Sequence, residues 1–148
     1  MSVFADSSAI VKLYADEPGH EEVRALAAVA VAQICRVEVP AALWRKHRIG
    51  ELEAENARVL TGEFEADYYG TGEEDPRFVV VGTTVEILDR AARLCATHGL
   101  RSYDAVQLSS AMATRRADPE CSGMAAFDSS LRTAASAEGL ELVPAVST

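Results

Sequence analysis

Four acidic residues stand where an apolar run gives way to a helical pattern. Asp6 follows Val3-Phe4-Ala5, and Asp128 follows Met124-Ala125-Ala126-Phe127. Glu38 lies in Ile34-Cys35-Arg36-Val37-Glu38-Val39, and Asp104 in Leu100-Arg101-Ser102-Tyr103-Asp104-Ala105-Val106. Brought together, four carboxylates repel one another, and the cluster is stable when a cation neutralises it. Oxygen-only ligands select hard ions, Mg²⁺ or Mn²⁺. Such an ion acidifies water and clamps the oxygens of a phosphodiester, which is nuclease chemistry. No histidine is required, and His20, His47 and His98 fall at positions that read as surface.

Each acid also has a plainer reading. Asp6 before Ser7 and Asp128 before Ser129 are good helix N-caps, and Asp104 is a favourable charge near a helix N-terminus. Glu38 is surrounded by Val37, Val39, Ala41, Ala42, Leu43 and Trp44, so its carboxylate needs a partner. The cluster reading gains from all four falling at one edge of the elements that must position them.

Those elements alternate. Ser2 to Asp6 reads as a strand and Ser7 to Ala15 as a helix broken by Pro18-Gly19. A second helix is expected from about Glu21 to Val29, with Val31 to Cys35 a buried strand. Helices then follow over Arg36 to Arg48 and Glu51 to Tyr69, two segments that could form an arm. After the loop Gly70 to Pro76, Phe78 to Val81 is a β-branched strand. Thr84 caps a helix closed by His98-Gly99, Tyr103 to Arg116 is helical, and Gly123 to Phe127 is a strand. Ser129 to Ala137 is the last helix and Leu140 to Val143 the last strand. Apolar strands alternating with helices predict a parallel sheet covered on both faces. Ligands of such sheets bind beyond the carboxyl ends of the strands, where Asp6 and Asp128 stand.

With 148 residues and 49% hydrophobic content, the chain suits one domain spanning residues 1–148. The apolar window Ala25 to Ile34 is about half the roughly 20 residues that cross a bilayer. The N-terminus has no secretion pattern, so the expected setting is cytoplasmic with no membrane partner. Cys35, Cys95 and Cys121 are odd in number and far apart, which favours free thiols over disulfides or a thiolate metal site. The formal charge of -9 argues against a broad electropositive surface. A nucleic-acid partner would need local cations, and Arg45-Lys46-His47-Arg48 is the densest group, with Arg115-Arg116 second. The same patch is also a favourable charge at a helix C-terminus.

The four acidic segments, in order over essentially the whole chain, resemble the motifs of the PIN-domain family, and more closely VapC-like toxins. They are Asp6-Ser7-Ser8-Ala9-Ile10-Val11-Lys12-Leu13, Arg36 to Leu43, Leu100 to Leu108, and Ala126-Phe127-Asp128-Ser129-Ser130-Leu131. The resemblance implies a three-layer α/β/α PIN-like fold with a central, mainly parallel sheet of about four to five strands. It implies an endoribonuclease using Mg²⁺ or Mn²⁺, held as a homodimer and neutralised by a VapB-like antitoxin. Asp6, Glu38, Asp104 and Asp128 would be the catalytic, metal-binding acids, with Ser7 or Ser8 a hydroxyl helper beside the first. Cys35 stands where many relatives carry Ser or Thr, and Ala117 to Gly123 is a longer connection than usual.

Two rival readings fit less of the sequence. A receiver-type phospho-acceptor domain needs an acidic pair after the first strand and a late lysine. Here Asp6 is followed by serines, and the lysines are Lys12 and Lys46. A catalytically silent PIN-like binding module would be expected to lose acids, and none is missing.

Overall fold

Along β1 (Ser2–Ala5), Val3 and Ala5 pack to one side and Phe4 to the other, the period-two alternation of a strand buried on both faces. The computed structural model describes residues 2–146. It places β1 at the centre of a five-stranded sheet with β2 (Ala28–Ala32), β3 (Phe78–Val81), β4 (Gly123–Ala125) and β5 (Glu141–Val143), in the order β3-β2-β1-β4-β5. Every pairing is parallel; Val3 sits opposite Val29 on one side and Gly123 on the other.

Helices cover both faces. One layer contains α1 (Ser7–Val11), α2 (His20–Arg24), α3 (Cys35–Arg48) and α4 (Ala54–Tyr69), whose Ile10, Val39, Leu43 and Phe64 pack on Val3, Ala5, Val29 and Val31. The other contains α5 (Val85–His98), α6 (Ser102–Ala117) and α7 (Ser129–Ala137), whose Leu94, Leu108, Ala111 and Leu131 pack on Phe4, Ala30, Ala32 and Met124. The alanines of β2 on this side leave room for α6, which lies across β1 and β2. The three-layer α/β/α expectation holds, with five strands and no antiparallel member among the described residues.

Several boundaries differ from the sequence reading: α4 starts at Ala54 and not Glu51, β4 ends at Ala125 and not Phe127, and two differences are larger. The second helix ends at Arg24, and Ala28–Ala32 is the strand. Alanine is the best helix former, so an alanine-rich run carries a helical signal that pairing with both β1 and β3 overrides. The first helix stops at Val11; Lys12 and Tyr14 continue as tight turns, their N–H groups bonded three residues back to Ala9 and Val11. Cys35 and Cys121 are buried free thiols and Cys95 is half-buried. Among the described residues no helix is long and apolar enough to cross a membrane.

Candidate active site

From β1 the chain passes to β2 and β3 on one side, then returns to place β4 on the other. The crevice beyond the ends of β1 and β4 is therefore the point where strand order reverses. Asp6 directly follows β1, and its N–H bonds the Ala125 carbonyl at 3.0 Å, fixing it against β4. Asp128 lies three residues beyond the end of β4. Glu38 comes from the first turn of α3 and Asp104 from the first turn of α6. All four line one cleft of about 380 Å³, together with Ser7 and Ser8.

The capping and clustering readings turn out to be compatible. Asp6 caps α1, its Oδ1 accepting from the Ala9 N–H at 2.9 Å and from the Ser8 hydroxyl at 2.8 Å. Asp128 caps α7, its Oδ2 accepting from the Leu131 N–H at 3.0 Å. Glu38 Oε1 accepts from the Ser7 hydroxyl and from Gln107 Nε2, each at 2.8 Å. Three carboxylates are thus anchored through one oxygen each, while the other oxygen accepts no hydrogen bond among the described residues. A carboxylate held this way is oriented yet keeps ligand capacity. The α3 helix begins without a side-chain cap, because Ile34 occupies the N-cap position and has no hydrogen-bonding side chain.

The electrostatics are those of an unneutralised acidic site. Asp6 is only 4% exposed. Burial pushes its carboxyl up to about 7, against its hydrogen bonds to Ala9 and Ser8, and the charges of Asp104 and Glu38 add to the rise. Asp104 is raised above the ordinary carboxylate range by burial first and then by Asp128 and Glu38, while Arg101 opposes. Asp128 is exposed and Glu38 half-buried.

Among the described residues, no group of three or more His, Cys, Asp or Glu is arranged to hold a metal ion by itself. The donor chemistry nevertheless fits a hard ion of the Mg²⁺ kind, which keeps several waters and takes one or two carboxylates plus substrate oxygens. It does not fit a closed structural cage.

The sequence reading missed several lining residues. Gln107 is 2% exposed and touches both Ser7 and Glu38; Arg101 and Tyr103 stand exposed at the same cleft. Gln107 lies one helical turn after Asp104, a long polar side chain inside the apolar run Ala105 to Leu108, and that was its one available signal. The hydroxyl helpers are divided: Ser8 serves Asp6, and Ser7 serves Glu38.

The family model described as PIN domain matches residues 3–137, a span that includes all four acids. The chain belongs to the PIN domain family. Solved structures share the PIN-domain architecture at low identity. FitAcB from Neisseria gonorrhoeae aligns with a TM-score of 0.60 at 18% identity, covering 92% of this chain and 94% of that one. PAE2754 from Pyrobaculum aerophilum aligns at 0.59 and 21% identity, over 90% and 79%. A chain of a toxin-antitoxin complex from Klebsiella pneumoniae aligns at 0.55 and 16%, over 85% and 86%. No curated protein matches the sequence.

Proposed function

We propose that this PIN domain is a divalent-cation-dependent endoribonuclease acting as the toxin of a toxin-antitoxin pair, with residues 1–148 forming one nuclease domain. Asp6, Glu38, Asp104 and Asp128 are its catalytic, metal-binding acids. The observation that carries the reading is their arrival from four separate elements at one cleft, with Asp6 buried and its carboxyl pushed up by that burial and by Asp104 and Glu38. Carboxylates needed only as caps would not have to share a cleft.

When bound there, Mg²⁺ or Mn²⁺ supplies Lewis-acid polarisation of the phosphodiester and makes water a stronger acid. The chain's own residues supply orientation. Ser8 and the Ala9 N–H fix Asp6, Ser7 and Gln107 fix Glu38, and the Leu131 N–H fixes Asp128. Asp104 completes the cluster, its carboxyl raised above the ordinary carboxylate range by burial and by its acidic neighbours.

The chain shares its architecture with a chain of the Klebsiella pneumoniae toxin-antitoxin complex, and a VapB-like antitoxin is the matching partner, the toxin itself being a cytoplasmic homodimer. An antitoxin side chain of the Arg type would satisfy the acidic cleft.

The test is hydrolysis of RNA by the purified protein with Mg²⁺ or Mn²⁺, with excess EDTA, and with Asp6→Asn, which keeps the cap and removes the charge. Cleavage is expected in the first condition alone. Full activity in EDTA, or an active Asp6→Asn protein, sinks the nuclease reading. Growth arrest on expression, relieved by co-expressing the product of the adjacent upstream reading frame, tests the toxin assignment, and light scattering tests the dimer.

A further inference from the structure

Gln107 joins two elements that the chain separates widely. Its Nε2 donates to Ser7 Oγ at 2.8 Å and to Glu38 Oε1 at 2.8 Å, while the Ser7 hydroxyl itself donates to the same Glu38 oxygen at 2.8 Å. The three groups form a closed triangle in which the amide nitrogen donates toward both oxygens and the hydroxyl donates to the carboxylate. The other half of the amide is not satisfied: Oε1 is buried and has no hydrogen-bond partner among the described residues.

That asymmetry is informative. A buried carbonyl oxygen without a donor is destabilising, and Leu or Met would fill the same space without it. Gln at this position is therefore explained by its N–H groups. The amide orientation follows from charge, because turning it over would set Oε1 against the Glu38 carboxylate oxygen. Two donors converge on Oε1 of Glu38, and Oε2 accepts nothing from the described residues.

We infer that Gln107 is a positioning residue of the acidic site, holding Ser7 and the Glu38 carboxylate in one arrangement so that Glu38 Oε2 is left for the bound cation. The inference rests on the metal-dependent reading above. Partners that orient a metal-binding carboxylate from behind act by restricting its rotamers and fixing which oxygen is offered. Gln107 is rooted in α6, three residues after Asp104, so it also fixes the α3 acid relative to the α6 acid.

The experiment uses the full chain and Mn²⁺ as probe. Gln107→Met, of similar length and without donors, is expected to weaken Mn²⁺ binding about tenfold by calorimetry, with its melting temperature close to that of the wild type. In a Glu38→Gln background the same substitution should add nothing, since its route to the ion has been removed. Should Gln107→Met fail to fold, Gln107→Asn, which withdraws the amide by one methylene, reads the same loss. Wild-type Mn²⁺ affinity in the Gln107 variant, or an undiminished extra loss in the Glu38→Gln background, overturns the assignment. The metal-free protein gives a separate readout. The side-chain amide protons of Gln107 should resonate downfield and move upfield in Glu38→Gln; signals at the free-amide position in the wild type overturn the clamp. A wild-type protein that binds no Mn²⁺ and cleaves no RNA overturns the nuclease reading, while the amide signal still decides the clamp.

Discussion

Lys46 Nζ lies 2.6 Å from Glu17 Oε2, and Lys12 Nζ lies 2.9 Å from the other oxygen of the same carboxylate. Lys46 also pairs with Glu51 at 3.2 Å. The basic run Arg45 to Arg48 is thus not a free cationic strip. Lys46 ties the end of α3 to the turn after α1, and His47 bonds the Leu52 carbonyl at 3.0 Å. Arg45 and Arg48 are exposed and form no ion pair among the described residues.

Lys46→Met should therefore cost stability, roughly 1–3 kcal/mol given the pair's partial burial, and leave the salt dependence of RNA binding unchanged. Burial works against ionisation of Glu17, but hydrogen bonds from Lys46 and Lys12 hold its carboxyl below the ordinary value. Its stabilising contribution is present at neutral pH and is lost as pH falls through that lowered value. Thermal melts of Glu17→Gln should accordingly converge on wild type in acid. A wild-type melting temperature together with a flattened salt slope for Lys46→Met would return the patch to RNA binding.

What the sequence made legible was local. Asp6, Thr84 and Asp128 each cap the helix that follows, and a cap is read from a few neighbouring residues. The four acids were visible because each marks the join between an apolar run and a helix. The strand Ala28–Ala32 was misplaced because alanine's preference is helical and only pairing on both edges makes the segment a strand. Gln107 had no role in sequence because its partners stand 100 and 69 positions away. Lys46 lies close in sequence to Glu51 but far from Glu17, so its second commitment was invisible.

Asp6 should make the metal-free protein less stable as pH rises. The unfolded chain loses this proton near the ordinary aspartate value, and the folded chain keeps it until about 7. Between those values the folded state binds the extra proton, so stability falls with rising pH across that window. Asp104, also raised, acts in the same direction. Asp6→Asn keeps a comparable cap and should be more stable than wild type at pH 8 by on the order of 4 kcal/mol, with the difference vanishing in acid. Mg²⁺ should raise the wild-type melting temperature at pH 8 and leave that of Asp6→Asn nearly unchanged. A wild-type stability that climbs from pH 5 to pH 8 without divalent ions contradicts this.

Gly19 has φ of +93° at the start of α2, and a methyl group added there would run into the edge of the Phe127 ring. The same ring carries the Lys12 Nζ at 4.4 Å from its centroid, a contact that displacing the ring would disturb. Gly19→Ala should lose about 1–3 kcal/mol from the backbone strain and the displaced ring. Because Phe127 immediately precedes Asp128, RNA cleavage should fall beyond what stability explains. Adding Phe127→Leu should restore part of the activity by removing the ring edge; no recovery would mean that the backbone alone carries the effect.

Arg101 and Tyr103 should hold RNA at the cleft itself. Arg101 is the one basic residue lining the acidic cleft, is exposed, forms no ion pair among the described residues, and is close enough to Asp104 to oppose its raised pKa. A free guanidinium beside a site for a phosphodiester takes a flanking phosphate, and its loss should lower RNA affinity and reduce the magnitude of the salt slope by about one. Tyr103, two residues on, is 63% exposed at the same cleft, an aromatic surface that a core would have buried. A base stacked on it is worth about 1–3 kcal/mol, and only an unpaired base can reach it. Tyr103→Ala should then weaken binding to single-stranded RNA far more than to duplex of the same sequence, with the salt slope unchanged, while Arg101→Ala weakens both. Titrations of the two variants against both RNAs at several salt concentrations separate the roles. Equal losses on single strand and duplex for Tyr103→Ala would show that the ring contacts the backbone or nothing, and that strand selectivity is set elsewhere.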